Sequence, residues 1–192
     1  MLSDGELRDA IERGRIAVEP LEASAIQTAS IDLTLHRAFW LPEVPSGPGI
    51  EITVDVGTAR AYDYLRQIDA DEIVLDPGDF VLGETAEGVS LADDLCGLIE
   101  GKSGRARHGL IVHCTAPHVA PGWGMDPPAT PDGAKAPNPK RITLEIANLG
   151  KVPLKLRAGT GIAQLMVVQT GRAAEGPYSG QHRSEGTVRA PA

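Results

Sequence analysis

Apolar and polar positions alternate along most of this chain with a period of two, the pattern of half-buried β-strands. Only the first segment reads differently. Ser3-Asp4-Gly5-Glu6 has the form of a capping box, and Leu7, Ala10 and Ile11 then share one face of a short helix that Arg13-Gly14 closes. Beyond it, residues 30–35 and 51–56 alternate cleanly. Further strands are expected over 72–75, 80–85, 95–100, 110–115, 142–147, 152–156 and 162–169. Turn-forming residues divide them: Asp76-Pro77-Gly78-Asp79, Pro121-Gly122, Asn148-Leu149-Gly150-Lys151 and Ala158-Gly159. Many short strands at this spacing predict a mainly β sandwich, jelly roll or barrel with one short N-terminal helix.

One stretch breaks the rhythm. Residues 124–140 contain five prolines and almost no core-forming side chain, and are expected to be an exposed inserted loop. The tail from about residue 178 is polar and expected to be mobile until something orders it. The 192 residues fit a single domain, long enough to bury a core without staples.

Composition narrows the function classes. Apolar residues make up 42% and aromatics only 4%, so the core must be Leu, Ile, Val and Ala. A net charge of −8 argues against nucleic acid as a partner, yet a few local cations can still hold a phosphate ligand. Cys96 and Cys114 sit in apolar runs and read as two buried thiols, not a disulfide framework. No signal peptide is visible and no apolar run approaches about 18 residues, so cytoplasm is expected and a membrane is not.

Two segments carry candidate chemistry. Residues 100–109 follow a strand and hold Lys102, Arg105, Arg107, Ser103 and three glycines. Glycines let backbone approach a ligand closely, successive N–H groups can cradle an anion, and Arg grips two phosphate oxygens at once. Read alone, the stretch fits a solvated basic turn equally well. Glu145 lies in an alternating run that places Thr143, Glu145 and Ala147 on one face and Ile142, Leu144 and Ile146 on the other. Such a carboxylate is either a solvent-facing strand residue or a general base held by rigid backbone, and periodicity fits both. His113, Cys114 and His118 suggest a metal, but the H-x-E and P-C-x-x-C of zinc-dependent base deaminases are missing, so no catalytic zinc is expected.

Read together, the motifs resemble the dCTP deaminase group of the dCTP deaminase/dUTPase superfamily. The resemblance runs nearly end to end and in order. It covers the opening helix, Ile26-Gln27-Thr28-Ala29-Ser30-Ile31-Asp32-Leu33, Phe80-Val81-Leu82-Gly83-Glu84-Thr85, residues 100–110, Ala120-Pro121-Gly122-Trp123, Ile142-Thr143-Leu144-Glu145 and Ala163-Gln164-Leu165. It implies a distorted jelly-roll-like β-barrel of the dUTPase type, assembled as a homotrimer with active sites between subunits. It further implies deamination of dCTP to dUTP and ammonia, feeding dUMP to thymidylate synthesis, with Mg2+ carried by the substrate triphosphate. On this resemblance Glu145 is the general base, and Ser103 and Arg107 position water and base and stabilise developing charge. Lys102 and Gly104 lie beside phosphates, Gln164 on the trimer-associated phosphate side. Trp123 borders the sugar and base region, and Ala120 and Thr143 are further substrate-binding positions. Tyr178 and Gln181 belong to a C-terminal flap.

The chain departs from the family pattern at four places. Lys102-Ser103-Gly104 replaces the usual Arg-Ser-Ser, losing a hydroxyl and a bidentate guanidinium. Ala120 occupies the position at which dUTPases carry a water-activating Asp, which disfavours a dUTP diphosphatase. Residues 124–140 replace a short turn, and Gln181 and Glu185 stand where phosphate-contacting residues are expected. These departures leave open a modified or differently phosphorylated cytosine nucleotide as substrate, and a non-catalytic nucleotide-binding or interaction protein.

Overall fold

The computed structural model describes residues 1–43, 53–55, 57, 64–127 and 135–176. The helix α1 (Asp4–Glu12) forms as read, with Ser3 at its N-cap, the capping box closed, and Leu7 and Ala10 buried. Glu6 Oε2 accepts from the Ser3 backbone N–H at 2.8 Å. The strands follow as β1 (Ile16–Glu19), β2 (Ile31–Pro42), β3 (Leu65–Asp69), β4 (Glu72–Leu75), β5 (Phe80–Leu91) and β6 (Leu95–Gly101). After a one-turn helix α2 (Ser103–Ala106) come β7 (Leu110–Ile111), β8 (His118–Val119), β9 (Met125–Asp126) and β10 (Ala136–Pro137). β11 (Lys140–Asn148), β12 (Leu154–Arg157) and β13 (Gly161–Gln169) complete the series. No helix among the described residues is long and apolar enough to cross a membrane.

The main sheet runs β7-β11-β5-β2-β13-β6-β8, with β1 on β5 and β3 on β2, and its ladders are antiparallel. Residues from both ends of that path, Leu110 on β7 and Val119 on β8, share one hydrophobic cluster with Leu33, Leu91, Leu144 and Leu165. A flat sheet cannot bring its opposite edges to one core, so this one is curled, and it realises the mainly β expectation. Leu, Ile, Val and Ala dominate the cluster, as the scarcity of aromatics requires. A smaller cluster of Ala38, Trp40 and Leu82, with Leu65 and Phe80 against it, lies apart from the main core.

The register shifts in three of the sheet's ladders, and two of these bulges are each stabilised by a side chain. Opposite β11, the register jumps from Arg141↔Gly88 to Thr143↔Glu84, leaving Ile142 facing three residues of β5. The Ile142 N–H donates to Thr85 Oγ1 at 2.9 Å, and the Thr85 hydroxyl donates to the Glu87 carbonyl at 2.7 Å. Opposite β5, the β2 register jumps from Leu35↔Thr85 to Phe39↔Gly83. There the Ala38 N–H donates to His36 Nδ1 at 3.2 Å. Glu87 caps the same region by accepting from the Thr34 N–H and hydroxyl at 2.8 and 2.7 Å.

At the far end of β11, buried Asn148 organises a turn. Its amide donates to the Leu75 and Val152 carbonyls at 2.9 Å, and its Oδ1 accepts from the Gly150 N–H at 2.9 Å. Gly109, at φ +90, presses against this turn so closely that a Cβ would collide with the Gly150 backbone. The Leu149 N–H donates to the Gly109 carbonyl at 2.9 Å, tying the glycine-rich loop to the turn.

Several expectations need correction. The strand expected over 110–115 ends at Ile111, and Cys114 adopts a positive φ of 43. The thiols are not both buried: Cys96 is half-buried and Cys114 exposed. Alternation along β6 buries Leu95 and Gly97 and turns Cys96 outward, which run hydropathy alone does not reveal. The 124–140 insertion is not wholly loop, because β9 and β10 pair as an antiparallel ribbon at its base. The strand expected over 51–56 lies largely outside the described residues, and 53–55 join no strand.

Two stability tests follow from the bulges. Thr85→Val keeps shape but strips the Ile142 N–H of its acceptor, and chemical denaturation should register a loss of about 1–3 kcal/mol. Burial, with the Arg141 charge next, pushes the His36 pKa below its ordinary value. The unfolded chain therefore binds the proton more readily. The stability His36 contributes is full above about pH 6.5 and is lost as pH falls through the folded value. Thermal melts should fall with acidification over that range, and His36→Gln should flatten that dependence.

Candidate active site

Unbroken alternation along β11 sets which way it presents its side chains. Ile142, Leu144 and Ile146 enter the core, while Thr143, Glu145 and Ala147 are half-buried on the other face. Glu145 pairs across the ladder with Leu82 of β5, and Ala147 with Phe80. Thr143 and Glu145 form one wall of a cavity of about 340 Å³ that also takes in Ala120, Trp123, His113 and His118. Leu82, Phe80 and Leu65 supply an apolar side, so a carboxylate, two imidazoles and an indole converge on a largely apolar space.

The turn carrying Ala120 and Trp123 is held by backbone. Trp123 N–H donates to the Ala120 carbonyl at 3.1 Å, and the Trp123 carbonyl accepts from the Leu91 N–H at 2.8 Å. Gly122 and Gly124 both adopt positive φ, at 79 and 63. At Gly124 a Cβ would strike the Val89 carbonyl, so only glycine lets the turn lie on β5.

His113 was not singled out for this site by the sequence, beyond the zinc pattern set aside there. It forms a parallel bridge with Glu145, and its Nε2 lies 3.4 Å from Glu100 Oε2. It lies two residues past Ile111, which pairs with Ala147, so the β7–β11 pairing brings it to Glu145. The Cys114 thiol faces the Glu145 carbonyl at 3.5 Å. Burial, and after it the negative charge of Glu145, raise the Cys114 pKa above its ordinary value. Among the described residues no three His, Cys, Asp or Glu side chains converge as a metal site requires.

The glycine-rich loop forms a different pocket. Lys102, Ser103, Gly104 and Gln164 line a space of about 410 Å³ with Gly101 and Arg105. Lys102 N-caps the turn of α2, and Arg107 follows it as C-cap. Lys102 Nζ is 2.6 Å from Asp32 Oδ1, so the cation expected beside phosphates is held by a carboxylate. Asp32 and Gln164 are direct partners across β2 and β13, which places that carboxylate at the pocket's edge. Arg107 is exposed and lines neither space.

Within one chain, then, the expected residues fall into two groups. Glu145, Thr143, Ala120 and Trp123 share the first cavity; Lys102, Ser103, Gly104 and Gln164 share the second; no residue lines both. Tyr178 and Gln181 lie outside the described residues.

Comparison with known proteins locates this arrangement. A family model described as dCTP deaminase-like matches residues 1–170. The chain is 37% identical over 183 residues to a Streptomyces coelicolor protein named dCTP deaminase, dUMP-forming, covering 94% of this chain and 86% of that one. A protein of the same name from Thermobifida fusca is 36% identical over 183 residues, covering 94% and 84%. Among solved structures, the 2'-deoxycytidine 5'-triphosphate deaminase from Agrobacterium tumefaciens superposes with a TM-score of 0.56 at 21% identity. That match covers 86% of this chain and 47% of the other, and it supports the likeness of fold.

The proximity of Cys114 and Glu145 is testable by itself. Alkylation of Cys114 by iodoacetamide, followed by peptide mass mapping to separate it from Cys96, should require higher pH than a free thiol. Glu145→Gln should move the profile toward lower pH without bringing it to the ordinary value, because burial is the larger cause.

Proposed function

Because the chain belongs to the dCTP deaminase-like family, we propose that it hydrolyses the exocyclic amine of dCTP, with Glu145 as the proton-transferring group. The observation that carries this reading is the placement of Glu145 at the centre of a rigid strand, facing a largely apolar cavity walled by the Trp123 turn. A carboxylate there takes a proton from water as the oxygen attacks C4 of cytosine. It then returns a proton to the departing nitrogen, so dCTP and water become dUTP and ammonia. The apolar wall excludes bulk water and strengthens each electrostatic contact at the reacting carbon.

The separation of the two residue groups supports the homotrimer reading. Ser103 and Arg107 of a neighbouring copy complete the pocket around Glu145, positioning water and base and opposing the charge that develops on the ring. Lys102, Gly104 and Gln164 then serve the phosphates, with Ala120, Trp123 and Thr143 against sugar and base, and Tyr178 and Gln181 in a closing tail. Glycine backbone, a lysine and Arg105 suit phosphate oxygens better than a bare cation. The donor set therefore fits Mg2+ that arrives on the triphosphate, screening its charge, without a resident metal.

A second reading of the product rests on the curated relatives, whose names specify dUMP formation. Under it, the chain also cleaves between the α- and β-phosphates, releasing pyrophosphate. Ala120 has no group to activate water for that step, so another base must serve.

Purified protein with dCTP and Mg2+ is expected to release ammonia, with chromatography separating dUTP from dUMP. Glu145→Gln should lower turnover by roughly 10²–10⁴-fold while nucleotide binding persists. No ammonia from dCTP, or a clearly better mono- or diphosphate substrate in a panel, would sink the assignment of dCTP.

A further inference from the structure

The inserted ribbon β9–β10 begins where the Trp123 turn ends. The Asn138 N–H donates to the Gly124 carbonyl at 2.7 Å, and the Met125 N–H to the Gly122 carbonyl at 3.3 Å. Asn138 Nδ2 also holds both oxygens of Asp126, at 2.9 and 3.1 Å, across the ribbon. At the ribbon's returning edge, Lys135 Nζ reaches back to Asp93 Oδ1 at 2.7 Å, with both side chains about 70% covered (29% and 28% exposed). Asp93 packs directly on the turn: a Cβ on Gly122 would lie 2.7 Å from that same Oδ1. The Gly122 N–H donates to the neighbouring Ala92 carbonyl at 3.3 Å, and the Asp93 carbonyl accepts from the Ala174 N–H at 2.9 Å. The ribbon, the turn and the β5–β6 connection thus form a ring that the Lys135–Asp93 ion pair closes.

We propose that Lys135, through its ion pair with Asp93, is a positioning residue that straps the inserted ribbon down and fixes the Ala120–Trp123 wall of the Glu145 cavity. A partly exposed ion pair adds little to global stability, but it selects one placement of the backbone it spans. The wall it selects contacts the ligand and not the reacting proton. Its loss therefore weakens substrate binding more than the chemical step. Where this concerns turnover it rests on the deaminase reading above; where it concerns the wall it does not.

The test reads both. The chain has two tryptophans, and Trp40 is only 1% exposed, so collisional quenching by acrylamide reports chiefly on half-buried Trp123. Lys135→Ala is expected to raise the quenching of the ligand-free protein with little change in Tm. It should also raise KM for dCTP roughly tenfold, with kcat within about twofold. Lys135→Arg should restore both. Asp93→Asn should match Lys135→Ala, and the double variant should be no worse than either single one. Unchanged quenching in Lys135→Ala overturns the strap whatever turnover does. Raised quenching with unchanged KM overturns its role in the site. Raised quenching in a protein whose wild type does not turn over dCTP keeps the strap and removes the deaminase reading.

Discussion

A strand that bends must find new acceptors for the backbone N–H groups its ladder releases, and in this protein two side chains supply them. Thr85 takes the Ile142 N–H and His36 takes the Ala38 N–H, one at each of two neighbouring bulges. Both lie where β11, β5 and β2 cross the middle of the sheet. Curvature there lets β7 and β8, at opposite ends of the strand path, contribute to one apolar core. Alternation along β11 runs unbroken through the bulge, so that Leu144 and Ile146 fill the core while Thr143 and Glu145 turn to the cavity. Glu84, 1% exposed, sits at this crossing within 4 Å of both His36 and Arg141. A neutral imidazole there keeps its Nδ1 lone pair for the backbone, and burial favours that form.

The period of two was sufficient to locate β4 at its observed bounds and β11 within two residues, because each is a regular strand with one face in the core. The capping box was equally plain, since its two partners are three residues apart. What could not be read locally were features decided by distant backbone. β5 continues to Leu91 because β1 pairs with its second half, far from the 80–85 alternation. Cys114 turns outward at a positive φ, and His113 meets Glu145, a neighbour remote in sequence, through the β7–β11 pairing. Pro137 joins a ribbon through pairing with Met125 that a proline-rich composition conceals.

The candidate site was legible as a set of residues but not as a geometry. Alternation put Glu145 and Thr143 on one face, and ordered motifs marked Ser103 and Lys102, yet the folded chain assigns them to separate pockets. Such a division follows from topology. Residues 102–109 run from the end of β6 to β7, which pairs with the Ala147–Asn148 end of β11, whereas Glu145 lies mid-strand. The Lys102–Asp32 pair has a similar origin: the carboxylate lies seventy positions upstream and is brought alongside only through the β2–β13–β6 order. In a chain of net charge −8, local pairing of this kind decides which cations face a ligand.

The close approach of Gly109 to Gly150 bears on how the molecule assembles in time. The loop holding Ser103 and Arg107 is fastened through that contact and the Leu149–Gly109 hydrogen bond, both with residues some forty positions further along. Loop-closure entropy must be spent before so distant a contact returns anything. The loop therefore cannot reach its final shape until β11 has docked and Asn148 has formed its turn. A chain still emerging from synthesis holds the glycine-rich segment unformed until residue 150 is free to fold, so this pocket matures among the last parts of the domain.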